Sequence, residues 1–451
     1  MDTMDILRRH GLFDAKVPRY TSYPPANHFE AQTGAQRQRH WLAEVPRDRA
    51  VSVYVHVPFC RRLCWFCACR TQGTTTMRPV AAYVDHLRQE VAATRTALPD
   101  GLRMGRLHLG GGTPTLLPPH LMVRLLDSVF AAFAPTDDME FSVEIDPTEA
   151  APDLLSLLMA RGLNRASIGV QDFAPQVQEA IGRPQSLDQT RAVVDALRGA
   201  GLPSLNIDLL YGLPHQTPDS FARTLDHVTA LAPDRLAIYG YAHVPWMSKR
   251  QVLIRDDALP DARARFDLAA QAQGAMVAAG YDVIGIDHFA KPDDSLARAN
   301  ASGLLRRNFQ GYTDDQSDTL LGFGASAISA FRQGFVQNAV ATSAWQDRVT
   351  RDGLTGQKGY ALRPQDRVVS RIIADLMCRF SFDAGALARH FPQQAAVVAT
   401  AGAMLRDRFG ALFTGDGDRL SLRPEARPLV RIIAQHVDGF IGVSGGYSAA
   451  I

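Results

Sequence analysis

Between residues 50 and 290, short β-rich runs alternate with amphipathic helical stretches, a pattern that admits few folds. Strand candidates lie at 51–57, 106–109, 140–145, 165–170, 204–210, 235–242 and 281–287, with helical periodicity between them, as at 79–98, 120–133 and 261–279. Helix starts are marked by Ser186 with Gln189 as a capping box, and by Thr217 followed by Pro218. Strand and helix in strict alternation predict parallel βα units. Parallel strands covered on both faces read as continuous apolar runs, yet here one face is polar. Tyr54 and His56 oppose Val53, Val55 and Val57; Ser142, Glu144 and Asp146 oppose Phe141, Val143 and Ile145; Asn206 and Asp208 oppose Leu205, Ile207 and Leu209. Gln171 follows Ser167 and Gly169 on a fourth such face. Side chains alternate with period 2, so each polar set points to one side. The expected fold class is α/β: a parallel (β/α) barrel, or part of one, with helices outside, a polar interior for a large polar ligand, and chemistry at the C-terminal strand ends.

The flanking segments differ in character. The first 35 residues include VPRYTSYPP (17–25), too rich in proline and aromatics for a regular element, and read as an N-terminal arm before a barrel and its extension at 36–360. Residues 361–451 carry helical patterns at 367–380 and 427–440 and a hairpin candidate at 411–422 turning at Gly415, Asp416 and Gly417, which together suggest a smaller, winged-helix-like domain. Apolar residues make up 46% of the chain and charged residues 21%, which excludes wholesale disorder. A net charge of +2 does not favour nucleic acid or anionic membrane as partner. No apolar run reaches membrane-spanning length, and the start lacks the basic-then-apolar order of a secretory signal, so a cytoplasmic location is expected.

Of five cysteines, Cys60, Cys64, Cys67 and Cys69 fall within one short loop after the first strand, and Cys378 stands alone in an apolar helical pattern, as a buried thiol does. A disulfide framework spreads its cysteines, so this cluster is a metal or redox site. Soft thiolates suit iron–sulfur clusters and zinc. A cubane held by Cys60, Cys64 and Cys67 leaves one iron open; zinc would take Cys69 as fourth ligand, but zinc loops usually pair two separated halves.

Cys-x3-Cys-x2-Cys after a barrel strand resembles the radical S-adenosylmethionine (SAM) superfamily. The fuller string YVHVPFCRRLCWFCACR (54–70) resembles the oxygen-independent coproporphyrinogen III dehydrogenases of anaerobic haem synthesis within it. The likeness continues in VPRYTSYP, HLGGGTPT, EIDP, GVQDF, NIDLLYGLP, DHFA and NFQGYT, and spans nearly the whole chain. It implies a partial barrel of the radical SAM type, one [4Fe–4S] cluster on Cys60, Cys64 and Cys67, and two SAM molecules, the first on the open iron. It also implies a monomer that takes coproporphyrinogen III as substrate and a flavodoxin or ferredoxin as electron donor. In the implied reaction a 5′-deoxyadenosyl radical removes a hydrogen from the β-carbon of a propionate, and loss of carbon dioxide and one electron leaves a vinyl group. Two such steps give protoporphyrinogen IX.

The resemblance also assigns residues, each with a physical reading. Gly111 and Gly112 with Thr113 let backbone amides approach the methionine part of the cofactor. Glu144 and Asp208, ending polar strand faces, hold ribose hydroxyls or cationic groups, and Gln171 and Arg183 hold carboxylate and hydroxyls. Gly182 and Pro184 flank Arg183 and set its backbone differently from a plain helix end. Tyr54 and Phe66 are placed to stack on adenine, Tyr54 also counting as catalytic. Ala242 and Ile328 match cofactor-contacting positions. Cys69 is the expected catalytic donor of a proton or hydrogen; related haem chaperones lack a cysteine at this place. A chaperone of that kind and a haem-degrading radical methyltransferase are the rival readings.

Overall fold

A computed structural model of the chain describes residues 3–31, 33–415, 417–440 and 447–451. Six of the expected strands pair side by side in parallel: β1 (Val51–Val57), β2 (Arg103–Gly111), β3 (Ala134–Ile145), β4 (Arg165–Gln171), β5 (Ser204–Tyr211) and β6 (Arg235–Gly240). The crossovers run through α1 (Arg78–Ala97), α2 (Pro119–Ala132), α3 (Pro152–Ala160), α4 (Leu187–Gly199) and α5 (Pro218–Ala230). Both helix-start signals form as capping boxes, with Ser186 Oγ accepting from the Gln189 amide at 3.1 Å and Thr217 Oγ1 from the Ser220 amide at 3.2 Å. The apolar face of the strands, including Val53, Val55, Leu107, Leu109, Phe141, Val143, Ile168 and Ile207, is fully buried against the helices.

The alternation breaks beyond β6. The 281–287 run, expected as a further parallel strand, is split into Asp282–Ile284 and His288–Ala290, which pair antiparallel with each other, the second also antiparallel to β6. The cause is Gly285, whose φ of +59° turns the chain back, and whose missing Cβ would lie 1.9 Å from the Tyr312 ring. On the other side β1 pairs in parallel with Leu320–Phe323, and antiparallel strands Ile328–Phe331, Gly334–Asn338 and Gly356–Ala361 carry the sheet out to a short edge at Glu30–Ala31. β1 and β6 are not neighbours, so the sheet is a partial barrel.

The residues after 361 form helices Pro364–Arg379, Ala384–His390, Ala395–Phe409 and Val430–Val437 beside a small antiparallel sheet. The expected hairpin is there as Phe413–Thr414 and Arg419–Leu422, with Ser381–Asp383 against it; Asp416, expected in its turn, lies outside the described residues. Leu7, Leu12, Val17, Tyr20 and Tyr23 of the N-terminal arm are buried in the same core as these helices. Among the described residues no helix is long and apolar enough to cross a membrane. Cys378 is buried with Ile284, Leu296 and Tyr312.

One buried carboxyl ties the helix layer to the sheet. Glu90 of α1 accepts from the Gly324 amide at 2.7 Å, from Asn338 Nδ2 at 2.9 Å and from the Thr355 hydroxyl. Two turns away, Tyr83 donates to the His56 carbonyl at 2.9 Å and accepts from the Ala325 amide at 2.9 Å. The loop leading into Ile328 is thereby held against the end of β1. Burial pushes the Glu90 carboxyl from 4.5 up to about 7, against the hydrogen bonds it accepts. Its folded pKa lies above the unfolded one, so its stabilising contribution is complete below about 4.5 and is lost as pH rises through about 7. We expect Glu90→Ala, which strands three buried donors, to cost about 2–5 kcal/mol in denaturant unfolding. Glu90→Gln should flatten the decline in stability between those pH values; an unchanged profile would remove Glu90 as its source.

Candidate active site

Register decides which polar residues meet. Tyr54 is opposite His108 and His108 opposite Ser142, while Glu144 aligns with Ser167, Ser167 with Asn206, and Gly169 with Asp208. The polar side of the sheet is therefore a set of continuous rows. They bond between strands and along one of them: His108 Nδ1 lies 2.6 Å from Ser142 Oγ, Asn206 Nδ2 donates to Ser167 Oγ and, on its own strand, to Asp208 Oδ1 at 2.8 Å each, and Ser167 Oγ donates to Asp208 Oδ2 at 3.1 Å. The Tyr54 ring stacks on His108 at 5.7 Å, and its hydroxyl meets His56 Nδ1 at 2.9 Å.

These rows line a cavity of about 1260 Å³. Tyr54, Cys69, Gly111, Glu144, Asp208, Ala242 and Ile328, all singled out from the sequence, are in its wall. Behind the wall a second group gathers around the cysteine loop. Arg183 Nη1 lies 3.5 Å from Cys64 Sγ, and Arg183 Nη2 donates to the Gly169 carbonyl at 2.9 Å, close to Gln171. Phe66 packs beside Val177, Ile181 and Leu213 rather than in the cavity wall. Asp146, expected on the polar face, pairs instead with Arg183 at 3.1 Å, because the chain turns at Pro147 and Asp146 caps the turn through the Thr148 amide.

At the glycine run the protein comes unusually close. A Cβ on Gly111, whose φ is +116°, would lie 2.4 Å from His56 Nδ1, and one on Gly112 would lie 2.7 Å from the Phe59 carbonyl and 3.0 Å from Cys60 Sγ. A plain turn does not require this. The amides are spent, however: Gly111 N donates to Glu144 Oε2 at 2.9 Å, Gly112 N to the Val57 carbonyl at 2.8 Å and Thr113 N to the Phe59 carbonyl at 2.9 Å. The amides expected from the sequence to approach a ligand are thus already bonded within the protein. Burial pushes Glu144 up, but His108 and the Gly111 amide outweigh it and hold the carboxylate below its ordinary range. Burial raises Asp208, with the Glu144 charge adding to it against the bonds from Asn206 and Ser167.

The cysteine loop fits a cubane. Burial pushes the Cys60 thiol up to about 11 and raises Cys64, while donation from Cys69 holds Cys67 down to about 6; Cys60 and Cys64 would need a bound metal to become thiolates. Among the described residues no three His, Cys, Asp or Glu side chains converge on one point as a single ion requires. A cubane has no such requirement, since each thiolate holds a different iron. Arg183 Nε, buried without a partner beside Cys64, is a spare donor at the same place.

Gly182, one of the two residues that set Arg183 apart, has φ of +64° and would put a Cβ 2.9 Å from the Trp65 indole. It lets the loop carrying Trp65 sit against the arginine. The sequence offered no sign of a second support: Ser248 Oγ donates to the Cys67 carbonyl at 3.0 Å, Arg250 to the Cys69 carbonyl at 3.3 Å, and the fully buried Gln251 to the Phe66 carbonyl at 2.7 Å. Nor did it signal the ionic floor, where Arg106 pairs with Glu140 and Asp314 at 2.8 Å each.

A model of the radical SAM superfamily matches residues 54–228. The chain is 50% identical to an oxygen-independent coproporphyrinogen III oxidase of Paracoccus denitrificans (strain Pd 1222), over 100% of both. It is 41% identical to the protein of that name from Escherichia coli (strain K12), over 81% of this chain and 80% of the relative. It is also similar to a solved structure described as coproporphyrinogen III oxidase (HemN) from Escherichia coli, a radical SAM enzyme, with a TM-score of 0.90 at 36% identity over 95% of this chain and 100% of that one. With likeness of sequence and backbone over its whole length, this chain belongs to the radical SAM superfamily and, within it, to the oxygen-independent coproporphyrinogen III oxidases.

Proposed function

We propose that this protein oxidatively decarboxylates two propionates of coproporphyrinogen III to vinyl groups, giving protoporphyrinogen IX. The observation that carries this is the cavity. At about 1260 Å³ it exceeds the ~300–1,000 Å³ of a site for one drug-sized ligand, and so supports a tetrapyrrole together with its cofactor. Cys69, Tyr54 and Glu144 share that cavity, and the three-cysteine loop lies behind its wall.

Cys60, Cys64 and Cys67 would hold the [4Fe–4S] cluster. Gly111, Gly112 and Thr113, their amides spent, offer carbonyl oxygens to the ammonium of the methionine part, with Glu144 adding a charge. Arg183 and Gln171 answer carboxylate and hydroxyls, Asp208 the ribose, and Tyr54, Phe66, Ala242 and Ile328 give apolar contact to two SAM molecules. When bound, cluster and SAM supply the radical that takes one hydrogen from the propionate β-carbon, while carbon dioxide and one electron leave to make each vinyl group. Cys69 holds a proton or hydrogen at its Sγ on the cavity side. The strand rows and the helices around them exclude water from this step. In this reading residues 36–360 hold the reaction centre, and the arm at 1–35 and the region at 361–451 close it. The protein works as a cytoplasmic monomer, without nucleic acid or membrane, and draws electrons from a flavodoxin or ferredoxin.

The test is anaerobic turnover of coproporphyrinogen III, with two carbon dioxide molecules released per tetrapyrrole; none released, or a methyl group gained by the product, would overturn the proposal. Anaerobically purified protein should contain about four irons and four sulfides, lost on replacing Cys60, Cys64 or Cys67 by Ser; stoichiometric zinc without sulfide would refute the cluster. Cys69→Ser should keep the iron–sulfur absorption and lose turnover, and loss of that absorption would make Cys69 a ligand. For Glu144→Gln, which keeps an acceptor for Gly111, we expect SAM affinity to fall about ten- to hundredfold at unchanged iron content. Normal affinity with a lowered melting temperature would leave Glu144 a structural role only.

A further inference from the structure

Six guanidiniums of the cavity wall form no ion pair among the described residues; Arg70 belongs to the cysteine-loop end and Arg427 lies over the Phe380 ring at 4.8 Å, which leaves four. Arg106, Arg165 and Arg235, at the barrel floor, are paired with Glu140, Asp314 and Asp294. By contrast, Arg19 of the arm, Arg265 of the helix Ala262–Ala278, Arg307 of the strand Arg306–Asn308 and Arg431 of the helix Val430–Val437 form no ion pair among the described residues, although all four are in the cavity wall. They are held by backbone carbonyls instead. Arg19 Nη2 donates to Gly240 at 2.8 Å, Arg265 Nη2 to Tyr241 at 2.6 Å, Arg307 Nη2 to Arg19 at 3.1 Å, and Arg431 Nη2 to Val17 at 2.7 Å. Two donors are spare: Arg265 Nε and Arg307 Nη1 are buried with no partner. The neighbouring carboxylate, Asp287, is bonded to His288 at 2.7 Å.

The charges act on one another. Burial, then the Arg19 and Arg307 charges, bring Arg431 down to about 10. Like charges gathered in a partly desolvated wall are unfavourable unless an anion completes them, and guanidinium is the side chain whose fork matches a carboxylate. The substrate class of the proposed function carries four propionates on one macrocycle. A carboxylate gripped by guanidinium is stabilised as the anion, which opposes its departure as carbon dioxide. The grip therefore suits the carboxylates that stay.

We propose that Arg19, Arg265, Arg307 and Arg431 form a wall that binds the propionates not undergoing reaction and so presents the others to the part of the cavity that holds Cys69. This rests on the functional reading above. It gives the N-terminal arm and the C-terminal helices a part in substrate recognition, since each supplies an arginine the barrel lacks.

Arg265 and Arg307 are the residues to test, because Arg431 also ties the arm to the C-terminal residues. Binding of coproporphyrin III, the stable oxidised tetracarboxylate, is measured by fluorescence titration of cluster-containing protein, with its tetramethyl ester as the uncharged probe. Arg265→Gln and Arg307→Gln should each weaken coproporphyrin III binding about ten- to hundredfold, leave ester binding within twofold, and raise KM for coproporphyrinogen III with iron content and SAM affinity unchanged. Arg265→Lys and Arg307→Lys, which keep the charge and lose the fork, should show a smaller loss and serve if the Gln variants do not fold. Coproporphyrin III affinity within twofold of the parent in these variants overturns the wall, as does a parallel loss of ester binding. A parent protein that binds coproporphyrin III through these arginines yet releases no carbon dioxide overturns the functional reading and leaves the wall standing.

Discussion

The parallel register of six strands is the constraint on which the rest depends. Backbone pairing aligns Tyr54 with His108 and Ser142, and Glu144 with Ser167 and Asn206, so polar side chains from distant parts of the chain become neighbours within a row. A slip of one residue in any strand would send its polar set into the helix layer and its valines and leucines into the cavity. The buried apolar faces make such a slip costly, and the polar rows therefore stay where the chemistry needs them.

Around this frame the protein uses strands for position and loops for contact. The glycine run at the end of β2 is bonded to β1 and the cysteine loop through the Val57 and Phe59 carbonyls and to β3 through Glu144, so the loop that would hold the cluster is fixed to the strand ends. The segment at 248–251 clamps the same loop from outside. The two chain ends then meet over the mouth: Tyr20 donates to Asp438 at 2.9 Å, and Arg431 holds Val17 and Ala450 through their carbonyls. The cavity wall thus draws on both ends of the chain as well as on the strands.

Much of this was legible beforehand because it is periodic or local. The strands β1, β4 and β5 are close to their expected bounds, since a period of 2 bounded by turn residues is a property of a few consecutive side chains. The capping box at Ser186 and the helix start at Thr217 and Pro218 are legible for the same reason, and the cysteine spacing identified its loop without any tertiary information. The split of 281–287 was not read: Tyr281, Val283, Ile284 and Ile286 give a strand pattern, and the chain turns at Gly285, where Tyr312 leaves no room for a Cβ. That the amides of the glycine run are already bonded was likewise not legible, because their acceptors, the Val57 and Phe59 carbonyls and the Glu144 carboxylate, come from other parts of the chain.

What the amino-acid sequence by itself determined is the alternation of strands and helices between 51 and 240, the polar faces of those strands and the spacing of the four clustered cysteines, all of which depend on neighbours in the chain. Tertiary structure alone decided the partners: that Arg183 sits beside Cys64 and Asp146, that Glu90 locks the loop before Ile328, and that arginines at 19, 265, 307 and 431 share one wall. A charge in a sequence carries no sign of whether an opposite charge will reach it. Only packing sets which guanidiniums meet carboxylates within the protein and which are left for a ligand.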